Sequence, residues 1–163
     1  MHRQVACRIY RNNVSGALRQ SIPALKQLTH TTEIDVKFSE ADPLGIVWHG
    51  HHVRYFEDGR EAFGAAYGLR YLDLYRNNIV IPIISIHCDY KRILRYGHRI
   101  RLETTYIDAI AAKLRFEYKV FDLATNEEVA NGYSVQVFMK KDTMELMLTL
   151  PPFMQEWKEK WLR

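Results

Sequence analysis

Cysteine is scarce. Only Cys7 and Cys88 occur in 163 residues, far apart and without CxxC spacing, so no disulfide framework is expected and the thiols suit a reducing, cytoplasmic setting. Long apolar runs are missing as well. No stretch approaches the ~18 apolar residues needed to span a bilayer, and the leading residues lack the apolar core of a signal peptide. The chain therefore reads as soluble, with no membrane span. No G-x-S-x-G occurs, which argues against a serine hydrolase of the α/β type. Acidic residues are absent from positions 1–30, where five of the 23 basic residues sit (Arg3, Arg8, Arg11, Arg19, Lys26). Beyond residue 30, 18 Lys and Arg face 19 Asp and Glu, so the pI of about 9.1 arises from the leading stretch. Nucleic-acid binding thereby loses its main support. Residues 1–30 read as a basic N-terminal extension, a tail or a stretch of transit-peptide composition, and 31–163 as a single domain without internal repeats.

What is present is periodicity. Ile34, Val36 and Phe38 alternate with Glu33, Asp35 and Lys37, the period-2 pattern of a half-buried strand. From Gly50 the spacing changes to that of a helix over about 50–67, with Val53, Phe56, Ala62, Phe63 and Ala66 on its apolar face and Gly68 as a C-cap. The stretch 79–92 reads as one strand with Pro82 near its start or at an edge. Three further strands follow around 100–106, 114–120 and 129–139, joined by turns short enough for antiparallel hairpins. A weak strand after "KKDT" and a short C-terminal helix complete the pattern, the latter with Phe153, Trp157 and Trp161 on one stripe. One early helix followed by a long antiparallel sheet predicts an α+β domain whose sheet covers the helix.

The segment "DPLGIVWHGHHVRYFEDGREAF" (42–63) carries the chemistry. A turn with an acid leads directly into a helix start, where first-turn N–H groups lack intrahelical partners and the dipole end is positive. Such an end attracts an oxygen gaining negative charge, and Asp42 lies nearby, which is an arrangement suited to acyl transfer. Other readings compete. Asp42 before Pro43 is a common turn residue. His49, His51 and His52 could bind a metal, since 49 and 52 share a helical face and Asp42 could add an oxygen; the alternative, that histidines at a helix start are solvated polar caps, is favoured, with no metal. Cys88 follows His87, but neighbouring strand residues point to opposite faces, so a core Cys is expected.

"ADPLGIVWHGHHVRYFEDGREAF" resembles the signature of the hotdog-fold acyl-CoA thioesterases of the 4-hydroxybenzoyl-CoA thioesterase and YbgC type: an Asp, a Gly soon after, His or Tyr seven residues beyond the Asp, then a "YFE..R" helix. Asp42, Gly45, His49 and Tyr55, Phe56, Glu57 and Arg60 occupy those positions, with Trp48 beside them. Tyr90 and Gly97 match a later Tyr and Gly, while His98 and Ile93 stand where Asp and Pro are usual. The resemblance implies a hotdog fold, a homodimer or homotetramer with active sites between subunits, and hydrolysis of an acyl-CoA or acyl-carrier-protein thioester without a cofactor. Asp42 would be general base or nucleophile. The backbone N–H of His49 or Gly50 would hold the thioester oxygen, and the His49 side chain would orient substrate or water. Glu57 and Arg60 would form a structural pair, and Arg92 and Arg95 would clamp coenzyme A phosphates, if "YKRILRYGHRIR" is more than a solvated strand end. A hotdog dehydratase and a non-catalytic acyl-thioester-binding module are the alternatives.

Overall fold

The computed structural model describes residues 26–162, so Cys7 and the basic extension before Lys26 lie outside the described residues. In chain order the elements are β1 (Gln27–Asp35), α1 (His49–Tyr67), α2 (Tyr71–Arg76), β2 (Ile79–Val80), β3 (Ile83–Tyr90), β4 (Arg99–Ile107), β5 (Lys113–Asp122), β6 (Glu128–Val137), β7 (Met139–Lys140) and α3 (Pro152–Trp161). A five-stranded antiparallel sheet has the order β1-β4-β5-β6-β3, and β2 pairs with β7 in a separate ribbon. The α+β architecture expected from the sequence is present.

Helix α1 lies on β1 and β4 and buries His52, Tyr55, Phe56, Gly59, Phe63 and Gly64. Phe56 and Phe63 are fully buried, each contributing roughly 1.5–3 kcal/mol relative to exposure. Phe56 stacks on Tyr118 of β5 at 4.2 Å, and Phe63 packs against Phe116, Tyr106 and Trp157. The inward face is rotated from the expected one: Val53 is half-buried and Ala66 is exposed. Two aromatic rings at 55 and 56 outweigh the small side chains at the edge of the stripe. Gly68 caps α1 in the left-handed conformation with φ 72°, as the sequence predicts.

Several boundaries differ from expectation. Strand β1 starts at Gln27 and pairs along its whole length with β4, so the last four residues of the stretch read as an extension belong to the sheet. Their polar composition, Gln27, Thr29 and His30 around one Leu, hides a strand that faces solvent on one side. The strand also ends early. Val36 remains buried, but Phe38 begins a 3-10 turn and is 76% exposed. Pro82 cannot donate a ladder hydrogen bond, and the expected strand 79–92 divides there into β2 and β3. Beyond β7 the weak strand reduces to an isolated bridge between Met139 and Leu146. The α3 stripe holds: Trp157 is buried and its indole N–H donates to Tyr67 O at 2.8 Å, while Trp161 meets the Tyr67 ring.

β1 and β3 are the outer strands. Strand β3 exposes Ile83, Ile84, Ile86 and Tyr90, an apolar edge with no strand on its outer side among the described residues, of the kind that invites another strand. Among the described residues no helix is long and apolar enough to cross a membrane.

Candidate active site

The 41–48 turn is closed by a bridge between Ala41 and Val47. Asp42 N–H donates to Ile46 O at 2.8 Å, and Gly45 N–H to Asp42 O at 2.9 Å. Gly45 adopts φ 71°, a conformation that costs other residues a steric clash and that the tight reversal needs. The Asp42 carboxylate folds back over this turn, and its Oδ1 accepts the Leu44 N–H at 2.8 Å. That oxygen anchors the side chain, and the second carboxylate oxygen has no protein hydrogen bond among the described residues.

Buried Glu40, two residues earlier, fastens the turn to the helix. It is 3% exposed, and its Oε2 accepts the Lys37 N–H at 2.9 Å and the Tyr55 hydroxyl at 2.7 Å. Burial, and then the Glu40 carboxylate, push the Tyr55 phenol far above its ordinary value, so it stays a donor. The main-chain oxygen of Glu40 also accepts the Trp48 N–H at 2.9 Å. Tyr55 is part of the sequence motif, whereas nothing in the motif spacing marks Glu40. The leading acid of "EADP" in a polar turn looks solvated, and only the fold brings Tyr55 over it.

Trp48 is the N-cap of α1 and supplies no side-chain cap. Its N–H is used by Glu40, and the His51 N–H is used by Trp48 O at 2.9 Å. Among the described residues, the amides of His49 and Gly50 are therefore the first-turn donors left without a main-chain acceptor. The Trp48 ring folds back against the rings of His49 and His51. A Cβ on residue 50 would lie 2.0 Å from Trp48 Cζ3, so Gly50 is what permits this fold-back.

A cavity of about 300 Å³ opens beside these groups, lined by Asp42, His49, His52, Tyr90, Arg92 and Ile93 among others. The structure thus brings Asp42 and the start of α1 to one space, as the sequence argument required. The three histidines separate. His49 is exposed, whereas His52 is 4% exposed and is no solvated cap. Burial pushes the His52 imidazole below its ordinary pKa, and the nearby main chain of His49 and Trp48 offsets part of the shift. Neither ring nitrogen reaches hydrogen-bonding geometry with a partner among the described residues. The His52 ring is held instead between Tyr55 and Tyr90.

Two expected groupings do not form. Glu57 is exposed and makes no ion pair with Arg60. Arg60 turns to the sheet, donating to the Tyr118 hydroxyl at 2.9 Å, which in turn lies 2.6 Å from Ser134 Oγ. Glu57 and Arg60 instead line a second cavity of about 210 Å³ with Glu61, Tyr71 and Gln136. Arg92 lines the Asp42 cavity but is engaged by Glu127 at 2.9 Å, and Lys91 by Glu128 at 2.6 Å. Arg95 has no ion pair among the described residues, and its Nη1 lies 3.4 Å from Gly45 O on the Asp42 turn. Of the two arginines expected to meet phosphate, Arg95 is the one that no carboxylate engages among the described residues. His98, where the resemblance has Asp, binds Asp122 at 2.6 Å. His87 meets Asp89 at 3.0 Å rather than Cys88, and Cys88 packs half-buried against the core.

Comparison with known proteins gives consistent matches. Residues 36–158 match the Thioesterase-like superfamily. The Bacillus subtilis protein YneP, provisionally named an acyl-CoA thioesterase, is 30% identical over 92 residues, which are 56% of this chain and 67% of that protein. The 1,4-dihydroxy-2-naphthoyl-CoA hydrolase of Synechococcus elongatus is 22% identical over 124 residues, 75% of this chain and 89% of that one. A solved DHNA-CoA thioesterase from Staphylococcus aureus superposes with a TM-score of 0.73 at 22% identity, covering 81% of this chain and 89% of its own. The fold shared with these proteins is the hotdog fold.

Proposed function

The chain belongs to the Thioesterase-like superfamily and is a thioester hydrolase, and on that premise we propose that it cleaves acyl-CoA at the cavity between the Asp42 turn and the start of α1. The observation that carries this reading is the convergence of Asp42 and His49, the first residue of α1, on one cavity. The motif that joins them also favours the 4-hydroxybenzoyl-CoA thioesterase and YbgC type within the superfamily. YneP and the naphthoyl-CoA hydrolase are named for coenzyme A thioesters, and that substrate class is carried over here.

In this reading the thioester carbonyl oxygen sits on the free N–H groups of His49 and Gly50, and the carbonyl carbon faces Asp42. The carboxylate acts in one of two ways. As general base it takes a proton from water while the hydroxide adds to the carbonyl carbon. As nucleophile it adds directly, expels the thiolate and forms an anhydride that water then opens. In both routes the negative charge that develops on oxygen is met by fixed amide dipoles. The leaving thiolate, from a thiol of pKa about 8.5 by analogy with cysteine, departs without a strong acid. The remaining products are the free acid and coenzyme A. Arg95 beside the turn suits a phosphate of coenzyme A or of a carrier-protein prosthetic group.

The outer edge of β3, unpaired among the described residues and with Ile83, Ile84 and Ile86 exposed, supports a homodimer that pairs two β3 strands. Tyr90 of β3 lines the cavity, so such pairing would set the active site close to the subunit boundary. The test is release of free thiol from a panel of short, long, branched and aromatic acyl-CoAs, with wild type and Asp42→Asn compared. The variant should fold, bind coenzyme A and lose roughly 10²–10⁴-fold in kcat. A near-normal kcat in the variant would refute the assignment, and binding without turnover by the wild type would make the chain a binding module.

A further inference from the structure

Tyr90 ends β3 at the point where the sheet edge meets the start of α1. Its hydroxyl donates to the carbonyl oxygen of His49 at 3.1 Å. That carbonyl and the Gly50 N–H belong to one planar peptide unit. In a trans peptide the C=O and N–H vectors are opposed, and no peptide bond among the described residues is cis. A donor on the carbonyl therefore fixes the orientation of the Gly50 N–H on the other side of the plane. It also polarises it, because hydrogen bonds in series strengthen one another by roughly 10–30% each.

The surroundings suit this arrangement. The Tyr90 ring is met by the His52 ring at 5.0 Å and 86°. Because the His52 nitrogens make no hydrogen bond to it, they do not draw the hydroxyl away from His49. Burial, followed by the neighbouring Cys88, pushes the Tyr90 phenol above its ordinary pKa, so it keeps its proton and remains a donor at working pH. The Trp48 ring over Gly50 leaves no room for a side chain at that residue. Nothing in the motif spacing explains a tyrosine hydroxyl on this particular carbonyl. A purely structural ring would pack as well without it.

We propose that Tyr90 is a positioning residue of the hydrolase, which holds and polarises the Gly50 N–H through the His49–Gly50 peptide. This rests on the reading of the α1 start as the site of the thioester oxygen. Tyr90 itself need not touch the reacting atoms.

The test uses Tyr90→Phe in the full chain, which retains the ring on His52 and removes only the hydroxyl. With the best acyl-CoA from the thiol-release panel, kcat should fall roughly tenfold, less than the 10²–10³ of losing an oxyanion donor outright, while KM stays within about twofold. Circular dichroism and sizing should match wild type. A second readout is spectroscopic: infrared difference spectra of acyl-CoA labelled with ¹³C at the thioester carbonyl, bound to Asp42→Asn. The carbonyl stretch should lie lower than in free substrate, and should move back toward the free position when Tyr90→Phe is added. A structural role for the hydroxyl would change melting without moving that band. Wild-type kcat in Tyr90→Phe with an unmoved band overturns the role of Tyr90 alone. Wild-type turnover in Asp42→Asn overturns the site itself and this inference with it.

Discussion

Tyr55→Phe should reveal how the Asp42 turn is fastened. The hydroxyl is completely buried and donates at 2.7 Å to Glu40 Oε2, whose only other donor among the described residues is the Lys37 N–H to the same oxygen. Removing it leaves a carboxylate that is 3% exposed one donor short. A hydrogen bond to a charged group contributes about 1.5–3 kcal/mol, so a loss of about 2 kcal/mol is expected. For a domain of this size that lowers Tm by roughly 4–8 °C. Calorimetry and urea unfolding would measure it. Glu40→Gln removes the charge but keeps an acceptor for the hydroxyl, so it should cost less. In the double variant the two effects should fall short of their sum, since contacting partners couple. Turnover should fall with Tyr55→Phe as well, because Glu40 also holds the Trp48 N–H and Asp42 follows two residues later. A Tyr55→Phe protein melting within about 1 °C of wild type would refute the reasoning.

Arg95→Ala should raise KM for acyl-CoA more at low salt than at physiological salt, where exposed charges are screened within about 8 Å, and Arg92→Ala should do less because Glu127 already engages that guanidinium; equal effects from both in steady-state titrations would contradict this. Asp122 concerns acid stability. Burial raises its pKa, but the N–H groups of Ala124 and Thr125 and the His98 ring outweigh burial and hold it below 3.8. A depressed carboxylate contributes stability that is complete above its unfolded pKa and is lost as pH falls through the folded value. Asp122→Asn should therefore cost about 1 kcal/mol at neutral pH, and its unfolding curve should converge on that of wild type below about pH 4. A difference that stays constant from pH 7 to pH 2 would exclude this account.

Local pattern alone determined a good part of this protein. The 42–63 segment announced a turn, a helix start and an acid beside it, because turn chemistry, capping and 3.6-residue periodicity are written in adjacent residues. The three hairpin-linked strands β4, β5 and β6 and the aromatic stripe of α3 were legible for the same reason, and so was Gly68 as the helix cap. Other features depend on which residues meet across long separations, and only the tertiary structure decided them. The polar Gln27–His30 run becomes strand through its pairing with β4. Glu40 turns from a solvated loop acid into a buried acceptor because Tyr55 reaches it fifteen residues later. Glu57 and Arg60, correctly spaced for a pair, separate because the Tyr118 hydroxyl offers Arg60 a partner on the sheet. His52, one of three neighbouring histidines, is buried against Tyr55 and Tyr90, while His49, at the first residue of α1, is exposed. The Tyr90 bond to His49 spans 41 residues, a separation at which periodicity carries no information and only the meeting of a sheet edge with a helix end creates the contact.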